Sequence, residues 1–573
     1  MKATQRFIRL LSLDRKDISY IYLYAIFAGI ITLSLPLGIQ AIINLLTGGQ
    51  ASTSLYLLIG IITIGIALNG FLTVMQLTVT ETLQRRIFTR SAFEFAFRIP
   101  RLRMEKVSDM YAPELINRFF DTLTIQKGIP KLLIDFSTAV LQIFFGLILL
   151  ALYHPFFIAF GATLLVILFA IFYFTGGRGL RTSLVESKYK YKVAHWLEEL
   201  GRAMNIFKLK GGSKLPISRT DELTVGYLNA RKGHFRVLLF QYGAVVVFKT
   251  IITLSLLLLG SILVIENQIS IGQFVAAEII VILILNSVEK LILSMDTVYD
   301  VLTGLEKIGF VTDLPLERAG GADFNEITDQ ESISVELEDV TFQFDDATRP
   351  TLDSVSLKIP ARERICLAGY NGSGKSTLLQ LVSGIFSEYE GTITYNGIPQ
   401  RALDLEQLRQ EIGSLNTEDE IFNGTIIENI TLGDERFSLR DVIVLARDLG
   451  LHDYINHLPE GYQTELVAGG KNVPRSVRTK IILCRTVIVR PHLMVLDHFM
   501  SRIERSDRAR VMDYLFDPKH PWTLLAVSNE PDFAARCDRT VVLQNGEVLA
   551  DGKFEDICQL EFVDELFARP NLP

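Results

Sequence analysis

The sequence predicts an all-α membrane domain of six helices followed by a soluble α/β domain, and three observations carry that prediction. Residues 17 to about 300 hold six long apolar runs, residues from about 331 onward alternate short apolar strands with helical patterns, and a glycine-rich phosphate-binding loop follows one of those strands. Composition agrees. Of 573 residues, 49% are hydrophobic and 21% charged, and mean hydropathy is +0.30, where a soluble chain carries about 25% charge. A wholly soluble or disordered chain is excluded. With 57 basic against 64 acidic residues the net charge is −7, so no global basic excess recruits nucleic acid.

Taken in order, residues 1–16 set Arg6, Arg9, Arg15 and Lys16 among Phe7, Ile8, Leu10 and Leu11. That pattern suits either a helix lying in the membrane interface or a solvated cap. A membrane domain over 17–317 follows, with spans expected at about 18–44, 54–80, 131–152, 155–176, 236–265 and 272–297, each near the roughly 20 apolar residues that cross a bilayer. Lys and Arg crowd the segments between spans 2 and 3 (Arg85 to Arg118) and between spans 4 and 5 (Arg181 to Lys214), whereas 45–54, 153–155 and 266–270 carry none. Basic loops stay inside, so both termini are expected in the cytoplasm of a multi-pass protein of the inner or plasma membrane. Lys249 in span 5 and Glu278 in span 6 are intramembrane charges of opposite sign, expected either to pair or to line a polar pathway. A linker is expected at 318–330, where Ala319-Gly320-Gly321-Ala322 breaks periodicity, and the α/β domain fills 331–573. All four cysteines lie in that last domain, without metal-type spacing and with no secretory signal ahead of them, which fits a reducing compartment.

Within it, Ile365-Cys366-Leu367-Ala368 runs into Gly369-Tyr370-Asn371-Gly372-Ser373-Gly374-Lys375-Ser376-Thr377, a complete P-loop. Its glycines free backbone N–H groups to surround phosphate, Lys375 reaches the outer phosphates, Ser376 ligates Mg²⁺, and the next helix adds its N-terminal partial charge. ATP or GTP is the expected ligand. Leu493-Met494-Val495-Leu496-Asp497 is an apolar strand closing on a carboxylate, so Asp497 is expected on the metal side.

Six spans, two long cytosolic segments and this nucleotide domain resemble an ABC exporter half-transporter over essentially the whole chain. Leu35-Pro36-Leu37 and Gly272-Gln273-Phe274-Val275-Ala276-Ala277 are most similar to transporters of type I secretion systems. Leu115-Ile116-Asn117-Arg118-Phe119 with Asp121 resembles the family's first coupling segment. The resemblance implies ATP and Mg²⁺ as ligands and a second half-transporter as partner, in a homodimer or a heterodimer. It also brings a periplasmic adaptor and an outer-membrane channel as candidate partners. Phe344, at the end of Val340-Thr341-Phe342-Gln343-Phe344, takes the adenine-stacking position, with Phe342 turned to the core.

Four positions depart from the family. Thr417 stands at the Q-loop. Counting back from Asp497 places the signature, LSGGQ in the family, on Val473-Pro474-Arg475-Ser476-Val477; the more familiar-looking Val467-Ala468-Gly469-Gly470-Lys471 comes six residues too early. His498 replaces the catalytic glutamate and Asn529 the switch histidine. Arg475 is either a guanidinium offered to the partner's phosphate or a solvated surface arginine. The expected function is the ATP-binding subunit of a dimeric exporter with impaired hydrolysis. The alternative is a non-hydrolytic gate or scaffold of a secretion complex. Whether the chain is an enzyme stays open at this point.

Overall fold

A computed structural model describes residues 3–47, 53–108, 110–324, 331–416, 421–560 and 566–567. The chain forms two compact units, Met1–Arg101 with Met110–Leu314, and Leu102–Asp109 with Pro315–Pro573.

The first unit is all-α: α1 (Ala3–Leu13), α2 (Arg15–Thr47), α3 (Thr53–Arg98), α4 (Ala112–Asn117), α5 (Asp121–Tyr153), α6 (Phe156–Arg202), α7 (Met204–Lys210), α8 (Leu215–Ile265) and α9 (Ile271–Thr312). Among the described residues six helices are long and apolar enough to cross a membrane. They coincide with the six expected spans but run much further, because hydropathy reads only the hydrocarbon-facing part of a helix. Past that part the helices stay intact in charged sequence, helped by i,i+4 pairs such as Arg85–Glu81 at 2.9 Å and Arg98–Glu94 at 3.0 Å. α9 begins on a capping box, Ser270 and Gln273 satisfying each other's backbone N–H groups. Two glycines set the approach of α5 to α9: a Cβ on Gly128 would lie 2.2 Å from Val301, and one on Gly146 2.8 Å from Ile284. Small residues at such crossings are how membrane helices gain close van der Waals packing.

The expected Lys249–Glu278 pair does not form. The Lys249 ammonium donates instead to Glu289 at 2.6 Å, and Glu278 makes no ion pair among the described residues. Hairpin geometry is the reason. α8 and α9 turn around at 266–270, so a residue 17 positions before the turn is level with one about as far beyond it, which is Glu289 and not Glu278.

The second unit holds β1 (Val335–Phe342), β2 (Leu352–Ile359), β3 (Arg364–Gly369), β4 (Glu390–Tyr395), β5 (Ile398–Pro399), β6 (Ile412–Leu415), β7 (Gly424–Thr425), β8 (Glu465–Leu466), β9 (Leu493–Asp497), β10 (Thr523–Val527), β11 (Arg539–Gln544) and β12 (Glu547–Gly552). β2-β1-β4-β5 make an antiparallel sheet. β12-β11-β3-β10-β9-β6 make a second sheet that is parallel from β11 to β6. Its inner strands are apolar and buried along their middles, as strands covered on both faces must be. Residues 320–324 are not a free linker. Ala322 bridges to Leu403 and Phe324 is buried in the core of this unit, while 325–330 lie outside the described residues.

The segment Leu102–Asp109 belongs to this second unit through named contacts. The Glu105 carboxylate accepts from the N–H groups of Ser387 and Glu388, Lys106 pairs with Asp345 at 2.8 Å, and Arg103 pairs with Glu388. The stretch Leu115–Asp121, resembling a coupling segment, lies just after it in the first unit, where Tyr191 donates to Asp121 at 2.5 Å.

Candidate nucleotide site

Strand order places the site. β3 lies between β11 and β10, and β9 lies beside β10. Leu367 and Asp497 are both in register with Val527, so the P-loop after β3, the carboxylate closing β9 and Asn529 after β10 emerge at the same edge. Ligands of parallel sheets bind at that carboxyl edge.

The P-loop backbone is shaped for N–H groups to converge. Gly372 and Gly374 have φ of 81° and 99°, the left-handed region that glycine enters without strain. A Cβ on Gly374 would also lie 2.8 Å from the Thr351 carbonyl. The helix Lys375–Val382 follows directly. Lys375 is buried, and its ammonium donates to the carbonyls of Gly369 at 2.9 Å and Tyr370 at 2.7 Å and to the Ser373 hydroxyl at 3.2 Å. Burial holds its pKa below the usual lysine value, with the nearby Asp497 carboxylate opposing.

Asn371, Gly372, Ser373, Gly374, Lys375, Ser376, Thr377, Asp497 and His498 line a cavity of about 370 Å³. These residues fit a triphosphate with Mg²⁺: positive-φ glycines for close approach, a cation, a helix start, and the Ser376 hydroxyl and Asp497 carboxylate as hard oxygen donors. His498, expected at the acid position, has φ of 44°, a conformation uncommon for a non-glycine residue. Burial pushes its imidazole pKa below the usual value. Asp497 opposes that shift, while Lys375 and Arg502 reinforce it. Asn529 donates to the Gly369 carbonyl at 3.4 Å, and its own side-chain oxygen is buried with no hydrogen-bond partner among the described residues.

The stretch expected to hold the signature forms the start of the helix Arg475–Ile488, on Pro474, with no side-chain cap. Pro474 and Arg475 are exposed, and Arg475 makes no ion pair among the described residues. Ser476 is buried; its hydroxyl accepts the Glu504 N–H at 3.2 Å. Val473 and Val477 are core residues. The alternative stretch Val467–Lys471 starts no long helix. Its glycines have φ of 72° and 61°, and Gly470 makes room for Arg478, which donates to the Gly469 carbonyl at 2.8 Å.

Phe344 is half-buried, edge-on to Phe342 and Phe386, which stack on each other at 4.9 Å; it does not line the cavity. Thr417 lies outside the described residues. Sequence reasoning missed Thr351 and Gln380, both of which line the cavity. Gln380 is four residues after Ser376 on one helix face, so helical spacing could have found it. Thr351 arrives through the β1–β2 hairpin, its N–H donating to the Phe342 carbonyl at 2.8 Å, and no motif marks it.

Residues 352–501 match the ABC transporter family model and residues 18–288 the ABC transporter transmembrane region. Relatives include an ATP-dependent lipid A-core flippase of Saccharophagus degradans, 27% identical over 47% of this chain and 44% of that one. The cyclolysin secretion/processing ATP-binding protein CyaB of Bordetella pertussis is 32% identical over 39% and 32%. The chain thus spans less than half the length of these curated relatives. The solved structure of a bacterial Atm1-family ABC exporter with ATP bound aligns at a TM-score of 0.85 and 18% identity, over 98% of this chain and 99% of that one, which shows the fold. Membrane region, nucleotide domain and fold agree: the chain belongs to the ABC transporters and has the architecture of an ABC exporter half-transporter.

Proposed function

We propose that this chain is the ATP-binding subunit of a dimeric exporter that binds ATP with Mg²⁺ and hydrolyses it slowly. The observation that carries this reading is the make-up of one cavity, in which the phosphate-holding parts are present and His498 stands where the family has its catalytic acid. Bound Mg²⁺ would supply positive charge to the phosphate oxygens, held by Ser376 and Asp497. A glutamate beside it is negative at neutral pH and polarises the attacking water. His498, neutral through burial, accepts one proton but lends no negative charge. Asn529 offers an amide that cannot become cationic. In the family each site joins one chain's P-loop to its partner's signature, so a chain lacking both acid and signature leaves no site complete in a homodimer or a heterodimer.

The neutral base at His498 favours slow turnover over none, which separates this reading from the non-hydrolytic gate. Reconstituted chain should bind ATP-Mg²⁺ and turn it over well below roughly 1 s⁻¹. Rapid turnover overturns the reading, and binding with no turnover selects the gate. The type I secretion resemblance names a periplasmic adaptor and an outer-membrane channel as the partners to test.

The charge asymmetry supports cytoplasmic termini in an inner or plasma membrane. Cysteine at Gly49 should label from outside intact cells, and cysteine at Lys188 only after permeabilisation. Lys188 is the right inner site because it is exposed, whereas Ser187 beside it is buried and would resist reagent from either side.

A further inference from the structure

Two hairpin turns of the second unit share one sequence and one backbone. Asn396-Gly397 joins β4 to β5 and Asn545-Gly546 joins β11 to β12, each between strand ends that pair directly. The asparagines have φ of 49° and 52° and the glycines 80° and 88°, as a two-residue Asn-Gly turn requires. Their surroundings differ. Gly397 is exposed, and a Cβ on it would meet no atom within 4 Å. Gly546 is buried, and a Cβ there would lie 2.8 Å from the Thr351 carbonyl oxygen and 3.3 Å from the Asp353 nitrogen. The first glycine serves its turn alone, whereas the second also permits a close approach.

What it approaches is the P-loop, from outside the cavity. The Gly546 N–H donates to the carbonyl of Ser373, within the loop, at 3.2 Å, and the Gly546 carbonyl accepts the Asp353 N–H at 3.0 Å. A single residue thereby ties the P-loop to the start of β2. Thr351, which lines the cavity, is confined from two directions: its carbonyl oxygen would stand 2.8 Å from a Cβ on Gly374 and 2.8 Å from one on Gly546. β11 delivers the turn to this place, because Leu543 is in register with Gly369 and its carbonyl leaves no room for a Cβ on that glycine. A side chain at 546 must either push Thr351 toward Gly374 or lift the turn off Ser373. Both move backbone that has to meet phosphate. We propose that Gly546 is a positioning residue for the P-loop, holding the Ser373 and Gly374 backbone in its phosphate-binding shape without lining the cavity itself. The proposal rests on the P-loop holding nucleotide and not on how fast that nucleotide is consumed.

The test is direct titration of the full chain in detergent with ATP-Mg²⁺, well below the unfolding temperature of each variant, beside hydrogen exchange of the nucleotide-free protein. Gly546→Ala should weaken affinity by about tenfold, since a small misplacement of positioned groups is costly, and should speed exchange at residues 372–376. Gly397→Ala puts the same backbone strain in the matched turn and should change neither readout. Gly546→Asn separates strain from contact. Asparagine tolerates positive φ but still carries a Cβ, so it should weaken affinity as Gly546→Ala does. Wild-type affinity in Gly546→Ala overturns the proposal. An equal loss in Gly397→Ala also overturns it, in favour of general destabilisation, and full recovery in Gly546→Asn overturns it in favour of strain in the turn alone. Wild type that fails to bind ATP-Mg²⁺ removes the nucleotide reading and the proposal with it, so the wild-type titration keeps the two failures apart.

Discussion

The helix Lys375–Val382 starts on a glycine at φ of 99° and carries a buried ammonium and two hydroxyls into a cavity, whereas the helix Arg475–Ile488 starts on a proline and an arginine that face solvent. On the proposed alignment both starts stand where the ABC family places phosphate. In the first, backbone geometry is the binding element, and it is complete. In the second, a serine hydroxyl and glycine N–H groups are wanted, but Pro474 has neither, and the Ser476 hydroxyl is engaged by Glu504 inside its own domain. On the proposed reading, the difference teaches that holding a nucleotide and consuming it rest on separate parts of the molecule, of which the first set is intact.

The largest expected effect comes from rebuilding the second helix start and the acid together. Replacing Val473-Pro474-Arg475-Ser476-Val477 by Leu-Ser-Gly-Gly-Gln, with Thr417→Gln, His498→Glu and Asn529→His, should raise turnover by about a hundredfold or more. Any one change alone should give less than about tenfold, since parts that act as a unit are non-additive. Ser476→Gly removes the acceptor of the Glu504 N–H, so the rebuilt chain should also lose about 1 kcal/mol of stability in thermal unfolding. A full rate from His498→Glu alone would erase the comparison, because the signature position would then not matter.

The intact side is tested by Lys375→Ala. Loss of a buried ammonium from the cavity should weaken ATP-Mg²⁺ affinity by at least about tenfold in direct titration. Unchanged affinity would remove the nucleotide assignment. Arg475→Ala, at the other helix start, should leave the affinity of the isolated chain unchanged.

These two sides were unequally legible in the residues themselves. A P-loop is a contiguous run whose function follows from local backbone geometry, so Gly369 to Thr377 could be read directly, and β9 closing on Asp497 likewise. The six spans were legible through hydropathy, but their charged helical extensions were not, because no apolar signal marks them. Contacts between distant residues escaped in proportion to how much they depend on register. Lys249 was expected opposite Glu278 and meets Glu289, a matter of where a hairpin turns. Thr351 reaches the cavity only through strand pairing. The engagement of Ser476 by Glu504 needs the packing of two segments 28 residues apart.

The smallest expected effect is a pH dependence, and it separates His498 from the glutamate it replaces. Burial, aided by Lys375 and Arg502 and opposed by Asp497, disfavours the imidazolium, so the folded-state pKa lies below the ordinary 6.5. His498 is therefore neutral at pH 7 and above, and residual turnover that uses it as base should be flat from about pH 7 to 8.5. As pH falls through that lowered value turnover should fall severalfold as one proton binds. The stability contribution has the same sign: it is fully present above the unfolded-state value and is lost as pH falls through the lower folded-state value. His498→Gln should abolish the acid limb and lower the plateau, and His498→Glu should move the limb down toward the carboxylate range near pH 4 to 5. An acid limb unchanged in His498→Gln would assign the proton to another group, and would leave the cavity with phosphate-binding parts but no base of its own.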